Sequence, residues 1–371
     1  MNYIRKEIPY INYVRDVQEA QVYILVTDQN AGSGGNQYTY SFQGLEKFKG
    51  LNDTLTFTSS PDQTRPIIRE KSTNMLKMGL MRYVARTPLF DEIYIKHNTE
   101  LKLEEVVDKW NYWVVELQTN PRFSSEKSYR NLNLHNSIEI SRITQEMKFE
   151  MQTDQNFNRQ RFIEDGNDTT YVRSSKSIDN LIVKSLDEHW SAGVRFNIGS
   201  STWENYKFNS EFMPALEYNL FPYSIATHRQ LRFQYGAGMQ FSSYNDTTLY
   251  NKMRETLYKE GIRVAYKVQE KWGYVNLSLY ASHYFNDFSK NTAGLYGYVN
   301  IRILKGLSVS LNGGVAYLND QINLSKGELS EAERLLRLKQ QASNYEVWSG
   351  LSFTYTFGSI YNNVVNPRFG N

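Results

Sequence analysis

Three places in the 371-residue sequence bring together residue types from which chemistry could be built. The first is His135-Asn136-Ser137. Residues two apart share one face of a strand, so an imidazole and a hydroxyl would stand side by side there. With Asn156 or Asn158 on the next strand, this is the outline of a barrel lipid hydrolase, the imidazole activating the Ser137 hydroxyl. However, Leu132, Leu134, Ile138 and Ile140 occupy the opposite, lipid-side face, which turns His135 and Ser137 away from any lipid substrate. Two ordinary polar residues lining an interior are therefore expected, and no catalytic residue is assigned.

The second is Asp165-Gly166-Asn167-Asp168, which lacks the bidentate acid of a calcium loop and reads as a turn in an outer loop. The five histidines (His97, His135, His189, His228 and His283) are dispersed, with no pair at metal-ligand spacing. The third is the glycine-rich run Asn30 to Asn36. A phosphate cradle needs Gly-Lys-Ser/Thr entering a helix, whereas this run joins strand to strand, so a hairpin loop is expected and no nucleotide. No cofactor or metal is expected.

Composition narrows the classes further. There is no cysteine, which excludes disulfides, thiolate metal sites and cysteine nucleophiles. A net charge of +3, from 42 Lys+Arg against 39 Asp+Glu, gives no basis for nucleic-acid binding. Mean hydropathy is −0.59 and no apolar run reaches the length of a membrane helix, about 18 residues. The 28 Tyr and 19 Phe beside only 8 Pro are the unusual feature. Met1 to Tyr10 has no apolar core of signal-peptide length, so an exported protein with this start would be a mature chain or one with a truncated beginning.

The elements that would position these residues fall into two parts. Residues 1–105 read as a small α/β domain, with strands at 20–27, 37–43 and 54–58. A helix should follow, capped at Ser59-Ser60-Pro61-Asp62 and running to about Arg86. Its apolar stripe would be Ile68, Met75, Leu76, Leu80, Tyr83 and Val84, with a last strand at Ile93-Tyr94-Ile95.

From about Trp113 the hydrophobic period becomes two. About twelve strands are predicted within residues 106–358, near 111–122, 131–142, 145–162, 169–186, 189–200, 206–220, 227–243, 256–268, 273–285, 292–304, 307–319 and 344–358. Apolar faces such as Trp190, Ala192, Val194, Phe196 and Ile198 end in aromatics. Connections alternate between tight turns and loops, the long ones being Ile163 to Asp168, Tyr244 to Glu255 and Asp320 to Ser343. Together these predict a mainly β fold, an antiparallel up-and-down transmembrane β-barrel with an N-terminal α/β domain on the periplasmic side. Residues 359–371 would be a C-terminal tail, and 330–339 a short loop helix.

On the interior face, Arg195, Lys207, Arg232, Lys259, Arg263, Lys267 and Arg302 outnumber Glu211, Glu217 and Glu346. Such a lumen is either an anion-leaning pore or a salt-bridged plug.

Three stretches carry a resemblance: Ile11-Asn12-Tyr13-Val14-Arg15-Asp16, Gly79 to Ala85 before Thr87-Pro88, and the ending Phe353 to Phe369. They are similar to uncharacterised outer-membrane proteins of Bacteroidota-type bacteria, and the architecture alone has a looser likeness to salt-induced outer-membrane barrel proteins. The resemblance implies an exported protein with a longer N-terminus and transfers no activity. The expectation is a non-enzymatic outer-membrane barrel, either a narrow pore or an envelope scaffold whose periplasmic domain binds a protein partner. The alternatives are the His135/Ser137 hydrolase and a soluble secreted β-sandwich.

Overall fold

The computed structural model describes residues 2–31, 35–60, 63–94, 109–164, 167–326 and 344–358. After a short helix α1 (Asn2–Glu7), β1 (Val22–Asn30), β2 (Asn36–Gly44) and β3 (Asn52–Thr58) form an antiparallel sheet in the order β1-β2-β3. The glycine-rich run is a hairpin connection, with Asn30 paired to Asn36. Helix α2 (Arg65–Val84) lies on one face of this sheet and buries Leu76, Leu80 and Tyr83 against Tyr40, Phe42, Phe48 and Ile8. Gly79 permits the approach, since a Cβ there would stand 2.1 Å from the Phe42 ring.

Three local expectations are corrected. The helix starts at Arg65 rather than near Ser60, behind Thr64 and with Pro66 in its first turn. Ser59 is unavailable as a cap because its hydroxyl accepts the Asn36 N–H at 3.1 Å, tying β2 to the end of β3. The buried stripe runs through Thr73 and Gly79, while Ile68 and Met75 are only half-buried. Ile93 and Tyr94 are not a strand: Pro88–Glu92 forms a 3-10 turn instead.

The remaining chain forms β4 (Trp113–Ser125), β5 (Tyr129–Ile143), β6 (Met147–Glu164), β7 (Asn167–Ser185), β8 (Trp190–Ser201) and β9 (Tyr206–Asn219). It continues with β10 (Arg229–Tyr244), β11 (Arg254–Glu270), β12 (Gly273–Tyr284), β13 (Asp287–Leu304), β14 (Leu307–Leu318) and β15 (Tyr345–Tyr355). Each strand pairs antiparallel with its sequence neighbour, giving one twelve-stranded up-and-down sheet. This is the predicted barrel wall. Among the described residues no ladder joins β4 to β15, so the wall has a seam.

Loop asymmetry is sharper in one respect and weaker in another. At one end the connections are tight: Thr144–Glu146, Leu186–His189, Lys271–Trp272 and Lys305–Gly306, with a 3-10 turn inside Leu220–His228. Gly306 has φ +77°, a left-handed conformation that suits glycine. At the other end, residues 245–253 and 319–344 are long. The loop expected at Ile163 to Asp168 is not one. β6 and β7 pair out to Glu164–Asn167, their backbone ladder continuing past the point where an apolar pattern stops. The expected loop helix and the tail lie outside the described residues, as do Asp165 and Gly166.

The two faces of the barrel wall differ. Leu117, Ile138, Ile182, Phe212, Met239, Ile262, Leu279, Leu295, Leu311 and Leu351 all stand exposed. The ladders Phe212–Met239, Leu279–Leu295 and Leu311–Leu351 place such residues opposite one another on one side. Aromatics border this band. Trp113 meets Phe149, and Trp190 meets Tyr218, at the tight-turn end. Phe208 meets Phe241 at the long-loop end.

Candidate functional site

The opposite face of the sheet encloses a cavity of about 720 Å³ lined from β5 round to β13. Only a sheet curled on itself brings nine successive strands around one space. The cavity sits where side chains are smallest. Gly193, Ala215, Gly236 and Gly261 follow one another across β8, β9, β10 and β11 in register. Around that row stand Arg195, Glu211, Glu217, Arg232, Lys259 and Arg263, all anticipated as interior residues and all on the cavity wall.

The others of that set lie elsewhere. Lys207 is on the same strand face toward the long-loop end, and Lys267 toward the tight turns, neither on the cavity wall. Arg302 sits at the tight-turn end of β13, where its charge acts on Tyr23 and Asp16 of the N-terminal domain. Charge pairing inside is sparse. Arg232 approaches Glu217 at 3.8 Å, and the Tyr223 hydroxyl donates to Glu217 at 2.9 Å. Burial pushes the Tyr223 hydroxyl up to about 12. Lys148 pairs with Glu150 at 2.8 Å.

Above the cavity the lumen is filled. Tyr284 donates to Gln240 at 3.2 Å, Gln240 to Asn209 at 3.1 Å, and Ser242 to Asn209 at 2.9 Å. Tyr244, Ser242 and Thr248 are at most 1% exposed. Ile322, from the last long loop, packs on Leu257 and Tyr284. Asn205 ties the two long loops together, donating to Asp246 O and Asn323 O, both at 3.0 Å. Leu249 N–H to Leu324 O at 2.9 Å and Lys326 N–H to Thr247 O at 2.8 Å join the same two loops. Burial holds the Asp320 carboxyl above its ordinary value, with Lys259 acting against the rise.

Below the cavity the N-terminal domain meets the tight turns. The Gly306 N–H donates to Asp16 at 2.9 Å, Lys305 pairs with Glu19, and Ser41 Oγ lies 3.3 Å from His228 Nε2. Ser41 and Leu25 are register partners on the sheet face away from α2, and both are buried. The Asp16 carboxyl is held below the ordinary range. Burial works against its charge, but the Gln18 and Gly306 N–H groups, Arg302 and Lys305 outweigh it. Sequence reading missed this interface and the packed outer loops, because both join residues distant in the chain. Asp16 lay within the stretch carrying the family resemblance but was assigned no role.

The proposed hydrolase pieces are only half assembled. His135 Nδ1 lies 2.7 Å from Asn156 Oδ1, and its Nε2 lies 3.9 Å from Asp154. Ser137, however, donates to Gln118 at 3.4 Å, so imidazole and hydroxyl are not joined. Asp168, from the calcium-like run, pairs with Arg161. Among the described residues no group of three or more acids and histidines is placed to hold a metal.

No family model and no curated protein matches the chain. Among solved structures, the β domain of the Bordetella autotransporter BrkA is similar over 66% of this chain and 98% of that one, at 11% identity and a TM-score of 0.26. A score that low carries no inference.

Proposed function

We propose that this protein is a non-enzymatic outer-membrane β-barrel that is closed on its long-loop side and anchors its N-terminal domain at the periplasmic face. The observation that carries the membrane reading is the exposed apolar band with aromatic borders, far more extensive than a soluble monomer leaves uncovered. Its height fits. Tyr345 and Tyr355 bound β15, ten residues apart. At about 3.3 Å per residue and a tilt near 40°, that spans roughly 25 Å, the height of the lipid-facing band of such barrels.

The hydrogen-bonded layer of Asn209, Gln240, Ser242 and Tyr284 favours a plug over a pore. The docked domain, held to two tight-turn segments, favours a scaffold role with a periplasmic protein partner. Two measurements test this. In SDS the unheated protein should migrate faster than the boiled one while showing a β-type circular dichroism spectrum. In a planar bilayer it should stay electrically silent. Unchanged mobility with solubility in the absence of detergent would overturn the membrane reading, and steady conductance steps would overturn the closed one.

A further inference from the structure

We infer that the cavity in the barrel is a blind binding pocket, entered from the tight-turn side, for a small molecule with one anionic head and an apolar body. The inference rests on the barrel reading and adds a ligand to it. Its volume, about 720 Å³, is in the roughly 300–1,000 Å³ range of small-molecule sites. The row of small residues makes the room.

The charges point to the ligand. Among the described residues Arg195 and Arg263 have neither a hydrogen bond nor an ion pair, although both line the cavity. Arg232 Nε is buried and unpartnered. Arg195 and Arg263 are exposed on the inner wall, so their forked N–H donors are open to an oxyanion, and carboxylate or phosphate oxygens fit that fork. Glu211 and Glu217 on the same wall disfavour a polyanion, which limits the ligand to a single anionic head. Ile143, Leu181 and Val183 supply the apolar wall. The Gln240–Tyr284 layer blocks the far end, whereas Gln145, Asp187 and Glu188 of the tight turns rim the near one.

The test is calorimetric titration of the full chain in phosphatidylcholine nanodiscs, against empty discs, with 2-naphthoate, 2-naphthyl phosphate and neutral 2-naphthamide. One of the two anions should bind saturably at a single site, at least about tenfold tighter than the amide. Which of them binds identifies the head as carboxylate or phosphate. The double variant R195Q/R263Q should lose about tenfold or more, and A215W, which fills the cavity, should abolish binding. No saturable binding by the unaltered chain, equal binding of the amide, or variants that bind unchanged would each overturn the proposal. Heat-dependent gel mobility, run on every sample, reports separately whether the barrel itself has formed.

Discussion

At the scale of single residues, two carboxyls carry opposite pH dependence. Asp16 is held below its ordinary value, so the stability it contributes is complete above about pH 4 and is lost as pH falls through the lowered folded value. Acidification should therefore loosen the N-terminal domain from the tight turns. Asp16→Ala should do the same at neutral pH, at a cost of about 1.5–3 kcal/mol for the lost hydrogen bonds from the Gln18 and Gly306 N–H groups to a charged carboxylate. Spin labels on α2 and on the β11–β12 turn would read this as a broadened distance distribution. Asp320 is raised by burial, so its charge opposes the closed outer loops at neutral pH, and stability rises as pH falls through the raised value. Asp320→Asn should slow proteolytic nicking of residues 245–253 at pH 7 and flatten its dependence on pH.

At the scale of elements, the contact between α2 and its sheet depends on Gly79. Gly79→Ala puts a methyl group into the Phe42 ring and should destabilise the domain by about 1–3 kcal/mol, seen as a lower urea midpoint for cleavage within residues 65–84. The strands were legible because alternation has only two faces to choose between: Phe212, Leu216 and Tyr218 cannot all be outside unless Glu211, Met213 and Glu217 are inside. The helix start was misread because Ser59 looks like a cap in isolation, and only the fold shows its hydroxyl already held by Asn36. The far ends of β6 and β7, expected at 162 and 169, were placed two residues short for a similar reason. Beyond the apolar band nothing forces alternation, so Asn158, Arg161 and Asp168 give no pattern although their backbones remain paired.

At the scale of the whole molecule, the charge on the inner wall was legible and left pore or plug open, but the packing of the outer loops was not legible. Arg195, Arg232 and Arg263 could be placed inside by parity alone. The packing of Ile322 on Leu257 and Tyr284, and of Asp16 on Gly306, joins segments that no local periodicity connects. Removing the outer closure should convert the barrel to a conducting one. Asn205→Ala with Tyr284→Ala withdraws the tie between the loops and the ring above the cavity, and bilayer recordings should then show steps absent from the unaltered protein. Continued silence with intact heat-dependent mobility would mean that the lower end, with Tyr223 and the docked domain, also seals.

The seam between β4 and β15 has a kinetic consequence. Every other pairing in the wall joins strands adjacent in the chain, the longest connection being residues 319–344, so the sheet can grow strand by strand at modest entropic cost. Joining the first strand to the last would be the one pairing, among the described strands, between strands distant in the chain. It comes at the end of assembly, and until then both edges offer unpaired amides to any neighbouring strand. Amide exchange should therefore be fastest in β4 and β15 and slow progressively toward β9, β10 and β11, mapping the order in which the wall is built.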